Sequence, residues 1–180
     1  RKGMLKKYQI IYADPPWKYK WGDGGKLAPE THYDTLSVDE LCKLSVKELR
    51  DKNCVLVMWA TCPCLPEALK VMEAWGFKYR TIAFVWKKVT KNGKTCANLG
   101  AWTMKNTEIC LLATKGNMFN KRQVKNIFQL VEAERTKHSK KPQEVRDRIE
   151  KLFGQCERLE MFAREKYEGW DVWGNEVESS

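Results

Sequence analysis

A doubly wound, mostly parallel α/β sheet is predicted by three features of this 180-residue sequence. Apolar runs rich in β-branched and aromatic residues alternate with helical patterns along the chain. Several of those runs are continuous rather than alternating in polarity, as strands covered on both faces are. Turn and capping residues punctuate the junctions between them. With 43% apolar residues the chain buries one core but not two, so a single domain over residues 1–180 is expected.

The elements follow in order. Gln9 to Ala13 reads as a buried strand that runs into the turn residues Asp14-Pro15-Pro16. Ser37 to Arg50 reads as one or two short helices, with Ser37 and Glu40 forming a capping box and Ser45 with Glu48 repeating it. Cys54 to Ala60 is a continuous apolar strand, Pro66 to Trp75 a helix closed by Gly76, and Tyr79 to Lys87 the next strand. The polar stretch from Lys87 to Met104 is long enough for a mobile substrate-binding loop. Thr107 to Thr114 is a strand stopped by Lys115-Gly116-Asn117, and Ile127 to Glu132 a shorter candidate. Pro142 to Phe153 is a helix with proline in its first turn, and Arg158 to Ala163 a last buried strand. Ligands of such sheets sit beyond the carboxyl ends of the strands, so the loops at Asp14, Thr61, Lys87 and Arg164 are expected to line one mouth.

Composition narrows the classes further. No apolar run exceeds the seven residues Cys54 to Ala60, far short of a membrane span, and the basic start lacks the apolar core of a secretion signal. A soluble cytoplasmic protein is expected. Seven cysteines without a paired CxxC read as reduced thiols, and the single CPC at Cys62 to Cys64 is a poor zinc hook, so no metal is expected. A formal charge of +10 favours a polyanionic partner, because lysine and arginine release counterions from phosphates; excess lysine that merely keeps the protein soluble is the plain alternative.

The most informative residues are Asp14-Pro15-Pro16-Trp17 at the end of the first strand. Taken alone, such a tetrapeptide is an ordinary turn with a buried tryptophan. Its place at a strand's carboxyl end gives it a chemical reading. An exocyclic amine such as adenine N6 is a poor nucleophile, since its lone pair is delocalised into the ring. Acceptors on both N–H groups draw the nitrogen toward tetrahedral geometry and localise that pair. The Asp14 carboxylate suits one N–H, and the Pro15 carbonyl, left open because the two prolines hold the backbone in an extended turn, suits the other. Trp17 offers a face on which a base stacks, worth about 1–3 kcal/mol. Positioning and electrostatics then supply the acceleration without a covalent enzyme intermediate.

With these residues the sequence resembles the DPPW branch of the adenine-N6 methyltransferases, the family of the eukaryotic messenger-RNA adenosine methyltransferase and its compact bacterial and phage relatives. The likeness covers nearly the whole chain: His32-Tyr33 ahead of Leu36-Ser37, Val57-Met58-Trp59, the run GAWTMKNTE from Gly100 to Glu108, Lys115-Gly116-Asn117, RTKHSKKP from Arg135 to Pro142, LEMFAR and GWDVWGNE. It implies a Rossmann-like methyltransferase domain in circularly permuted order, with the catalytic strand first and the cofactor strand, Leu159 to Ala163, near the end. It implies S-adenosylmethionine as cofactor, held by Asp14, by Lys141 near its carboxylate, by Phe162 and Arg164, and by Asn175 and Glu176 near the ribose and adenine. On the substrate side it implies Tyr33 lining the adenine pocket and Glu108 nearby, with His32, Trp102, Lys105 and Asn106 as further candidates. The sequence departs from the family where only thirteen residues precede Asp14, where Lys166-Tyr167 follow the arginine, and where Glu176 replaces an amide.

The expected activity is therefore N6 methylation of adenine in nucleic acid, with DNA favoured over RNA because no RNA-specific module is appended. The basic segments Lys87 to Lys94, Lys121 to Lys125 and Arg135 to Lys141 suit either polymer. A catalytically silent nucleic-acid-binding subunit is the principal alternative, and a methyltransferase for a small molecule or protein nitrogen a third. A homodimer, or a related methyltransferase-like subunit, is the expected protein partner, and a bacterial or phage-infected cell the expected setting.

Overall fold

The computed structural model describes residues 5–18, 20–21, 26–27, 35–136 and 140–174. Seven strands form one sheet in the order β7-β5-β6-β4-β1-β8-β9, with β1 at Tyr8–Ala13, β4 at Arg50–Ala60, β5 at Lys78–Val89, β6 at Thr107–Lys115, β7 at Leu130–Glu134, β8 at Arg158–Met161 and β9 at Asp171–Trp173. The pairings of β1 with β4 and β8, of β8 with β9 and of β5 with β7 are parallel; those of β6 with β4 and β5 are antiparallel. Only β6 is reversed, so the sheet is mostly parallel. It curls, and a short antiparallel pair, β2 (Lys20–Trp21) with β3 (Lys26–Leu27), lies outside it.

Alternation along the central strands splits the core into two layers. Ile11, Ala13, Leu56, Met58, Ala60 and Leu111 face one side, where they pack on helices α1 (Val38–Cys42), α2 (Val46–Leu49) and α3 (Leu65–Ala74) through Leu41, Val46, Ala68, Val71 and Met72. Ile10, Tyr12, Val55, Val57, Trp59 and Cys110 face the other, against Val145, Ile149 and Phe153 of α4 (Gln143–Phe153). Both faces of β1 and β4 are thus covered, which is why Cys54 to Ala60 is buried without interruption. The capping box forms as read: the Ser37 hydroxyl accepts the Glu40 N–H, and the Glu40 carboxylate accepts the Ser37 N–H. Ser45 makes no such side-chain bond, because its backbone leaves the extended conformation that a cap needs. Trp75, fully buried, donates its indole N–H to the Leu41 carbonyl at 2.8 Å and so ties the end of α3 to α1. Gly76 turns the chain there with φ of 81°, and a Cβ at that position would meet the Arg50 guanidinium at 2.7 Å.

Several boundaries differ from the sequence reading. β5 continues to Val89 because β7 pairs alongside it as far as Glu134. β7 begins at Leu130 rather than Ile127, and β8 stops at Met161, where Phe162 adopts a left-handed conformation with φ of 60°. β9 is three residues long and defined by its pairing with β8, too short to carry a pattern of its own in the sequence.

The winding order matters most for the site. From β1 the chain lays down β4, then β5 one place further out, fills the gap between them with β6 and adds β7 at the edge, before it returns through α4 to lay β8 on the opposite side of β1. The loops after β1 and β8 therefore diverge from neighbouring strand ends and leave a crevice between them, as at any point where strand order reverses.

Candidate active site

Asp14 and Arg164 enter that crevice from its two sides. Asp14 follows directly on β1, its backbone N–H donating to the Met161 carbonyl of β8 at 3.5 Å. Opposite, Phe162 is the one described non-glycine residue with positive φ. Such a conformation costs of order 1–3 kcal/mol and persists where its surroundings over-determine it. Here the Trp173 ring meets Phe162 edge-on at 5.1 Å, and Gly174 lies so close that a Cβ there would fall 2.6 Å from the Ala163 backbone N and O. The turn at Phe162 carries Arg164 to the cleft, which Tyr12, Asp14, Lys141, Arg146, Glu160 and Tyr167 also line.

The floor of the cleft is a chain of alternating charges. Lys141 Nζ lies 3.8 Å from Asp14 Oδ2 and 2.9 Å from Glu108 Oε1, and Lys88 Nζ lies 3.3 Å from Glu108 Oε2. Two tryptophans support it from beneath: Lys141 sits over the Trp59 ring at 5.4 Å and Lys88 over the Trp86 ring at 5.3 Å, with the two rings edge to face at 6.2 Å. Trp59 is fixed by its indole N–H on the Tyr12 hydroxyl, and Trp86 by its own on the Ala133 carbonyl. Burial pushes the Asp14 carboxyl above its ordinary range, Lys141 pulls it partway back, and Glu108 adds to the rise. For Glu108, burial acts upward but is outweighed by Lys141 and Lys88, so it stays ionised. Burial likewise acts to lower Lys141, and Asp14 with Glu108 more than compensate.

This wiring has a pH consequence. If ionised Asp14 is the working form, activity falls as pH drops through its raised pKa. Lys141→Met removes the nearest cation from Asp14 and one of two from Glu108, so the acidic limb of the kcat/KM profile is expected to move to higher pH. A limb that stays in place would show that Lys141 does not act on Asp14.

Beyond Asp14 the turn is rigid. Trp17 N–H donates to the Pro15 carbonyl at 2.9 Å, and Leu36 N–H to the Pro16 carbonyl at 3.2 Å. One lone pair of the Pro15 carbonyl, read from sequence as open, is thus taken by Trp17, and one remains. Trp17 is half-buried against the α1–α3 layer, with its indole N–H on the Trp59 carbonyl at 2.9 Å.

Of the residues singled out from sequence, Asp14, Glu108, Lys141, Phe162 and Arg164 converge. Glu108 lies within β6 and faces the Asp14–Lys141 pair. Asn106 contributes its backbone carbonyl, which accepts the Lys88 N–H at 2.9 Å. Lys105 and Trp102 belong to a hairpin at the rim. His32, Tyr33, Asn175 and Glu176 lie outside the described residues.

The sequence reading passed over Lys88, Arg146 and Glu160. Arg146 and Glu160 form a buried two-pronged pair, with Nε to Oε2 at 2.8 Å and Nη2 to Oε1 at 2.6 Å, and the Tyr167 ring lies 3.6 Å from the guanidinium. A signal existed: Arg146 falls on the same helix stripe as Ile149 and Phe153, and Glu160 is the lone acid among Leu159 and Met161.

A reversed strand within an otherwise parallel sheet, a crevice at the switch point and an acidic turn opening into it are consistent with a Rossmann-like α/β methyltransferase domain. The chain belongs to the MT-A70 family, whose model matches residues 8–176. It is 37% identical to the type II methyltransferase M.MunI of Mycoplasma sp., over 96% of this chain and 78% of that protein. It is 28% identical to the N(6)-adenosine-methyltransferase catalytic subunit METTL3 of Homo sapiens, covering 97% of this chain and 29% of the relative. A probable MT-A70-like N(6)-adenosine-methyltransferase of Oryza sativa is also 28% identical, over 98% of this chain and 24% of its own length. The chain thus spans about a quarter of the eukaryotic relatives it matches. Among the described residues no helix is long and apolar enough to cross a membrane.

Proposed function

We propose that this chain, acting as one domain in the cytoplasm, transfers a methyl group from S-adenosylmethionine to the N6 amino group of adenine in nucleic acid, with DNA as the preferred polymer. The observation that carries this reading is the Asp14 carboxylate, fixed at the switch point between β1 and β8 and tied to Lys141 at 3.8 Å. The relatives' names support the chemistry, and the greater likeness to the type II methyltransferase, over most of its length, supports DNA.

The donor set of the cleft suits the cofactor. A zwitterionic amino-acid end with an adjacent sulfonium needs cations for its carboxylate and anions for its positive groups, and Lys141, Arg164 and Asp14 supply both signs within one crevice. The cofactor, when bound, supplies an electrophilic methyl group. Lys141 already serves two carboxylates, so a cofactor carboxylate would share it with Glu108; Phe162 and Arg164 wall the crevice, and Asn175 and Glu176 are assigned to the ribose and adenine end. On the substrate side, Asp14 accepts one N6–H and the remaining lone pair of the Pro15 carbonyl the other, while Trp17, held by Trp59, keeps the base in plane. Tyr33 and His32 are assigned to the adenine side. On taking up that methyl group N6 would give up one proton, which Asp14 or water would accept.

Labelled S-adenosylmethionine offered with duplex DNA, single-stranded DNA and RNA, each with and without adenine, tests the proposal. N6-methyladenine is the expected nucleoside, most of it from DNA. Product from RNA alone would reverse the polymer, and binding of cofactor and oligonucleotide without product would favour a silent subunit.

A further inference from the structure

The hairpin that follows β5 ends in an exposed apolar tip. Asn98 and Lys105 exchange backbone hydrogen bonds at 2.8 and 2.7 Å across an antiparallel bridge and close its base. A second bridge joins Val89 to Thr95, and the Arg135 guanidinium, from the end of β7, braces the base through Asn98 Oδ1 at 3.0 Å. The turn is tight enough that a Cβ on Gly100 would fall 2.2 Å from the Thr103 carbonyl oxygen. From this stiff base Leu99, Trp102 and Met104 project with 76%, 97% and 56% of their surfaces exposed. Three exposed apolar side chains on one short hairpin mark a contact surface.

Two observations say what it contacts. Lys87, Lys91, Lys94 and Lys105 surround it in sequence on a chain of charge +10, whereas protein interfaces enrich tryptophan and methionine but are depleted in lysine. The hairpin also leads, three residues past Lys105, into Glu108, which is paired to Lys141 beside Asp14. It therefore stands at the rim of the cleft.

We infer that this tip is a wedge that enters a nucleic-acid duplex and stacks Trp102 in the gap left when adenine swings out toward Asp14. The inference rests on the adenine-methylation reading above. A base inside a duplex cannot reach a crevice between strand ends and must leave its stack, which costs stacking and pairing energy. An apolar side chain inserted at the vacated step recovers part of that cost, and lysines on either side hold the phosphates. Leu99 and Met104, exposed on the same hairpin, would keep water from the opened step.

The test compares methyl transfer to a kilobase-long mixed-sequence duplex with transfer to the same fragment melted into single strands, which need no extrusion. In Trp102→Ala the ratio of duplex to single-strand rates is expected to fall about ten- to a hundredfold, and Trp102→Phe to restore most of it. Trp102 is almost wholly exposed, so neither variant should disturb folding. A second readout needs no methyl transfer: with 2-aminopurine in place of a fraction of the adenines, wild-type protein should raise the duplex fluorescence and Trp102→Ala should not. An unchanged ratio, with equal losses on both polymers, would overturn the wedge and make Trp102 a wall of the adenine pocket. An unchanged ratio together with a smaller sedimenting mass for Trp102→Ala would overturn it in favour of a protein-docking surface. If the wild type methylates neither polymer, the catalytic reading fails, yet the fluorescence still decides the wedge: a rise that Trp102→Ala abolishes supports it, and no rise with wild type overturns it.

Discussion

Asp14→Asn is expected to reduce methyl transfer about a thousandfold or more while leaving the protein folded and cofactor binding partly retained. Removing one preorganised partner of the reacting group typically costs two to three powers of ten, and here the lost charge also unbalances its neighbours. The substituted amide keeps the shape of the turn but accepts N6–H less strongly, and it leaves Glu108, at 2.9 Å, as the remaining ion-pair partner of Lys141 among the described residues. Single-turnover rates at saturating S-adenosylmethionine, with cofactor affinity measured by calorimetry, would separate chemistry from binding. A rate within about threefold of wild type would remove Asp14 from the mechanism. Burial raises the Asp14 carboxyl, so the fold does not depend on its charge, and Asp14→Asn should not lower the melting temperature.

The largest stability effect is expected at Arg146, whose side chain is 4% exposed and whose partner Glu160 is 8% exposed. Arg146→Met leaves a buried carboxylate unpaired in the strand beside β1, at a cost of about 3–5 kcal/mol. For a chain of this size that corresponds to a fall in melting temperature of roughly 6–20 °C. The double variant Arg146→Met, Glu160→Met removes both charges and is expected to recover most of the loss, since a buried pair contributes little beyond what an apolar pair of similar volume does. Thermal denaturation of the two variants checks both statements. A single variant that melts with wild type would mean that water or Tyr167 satisfies Glu160 alone.

How much of this was legible in the sequence depends on the range of the interaction. Local signals read well: the run Cys54 to Ala60 is buried on both faces, the Ser37–Glu40 box forms, and Gly76 closes α3. The Asp14 turn was legible because two prolines and a strand end leave few conformations for it. What lay beyond reading was pairwise and distant. Lys88 looks like one solvated lysine among several until β5 and β6 pair and set it 3.3 Å from Glu108. Ser45 has the residue type of a cap but not the backbone conformation. β9 has no period of its own and exists by pairing with β8, and the fixed Pro15 carbonyl follows from a bond to Trp17 that no propensity encodes.

The return of the chain to lay β8 beside β1 also orders events in time. During synthesis β1 emerges first and β4 soon after, but the other neighbour of β1 is some 148 residues away, with Ile10 paired to Arg158. Joining ends so far apart is the costly step of folding, because entropy must be given up before the contact repays it. Until it happens there is no crevice, Asp14 faces no Arg164, and Arg146 has no Glu160. A nascent or truncated chain is thus expected to carry its acidic turn harmlessly, and the closing of one strand pair both completes the fold and assembles the candidate site.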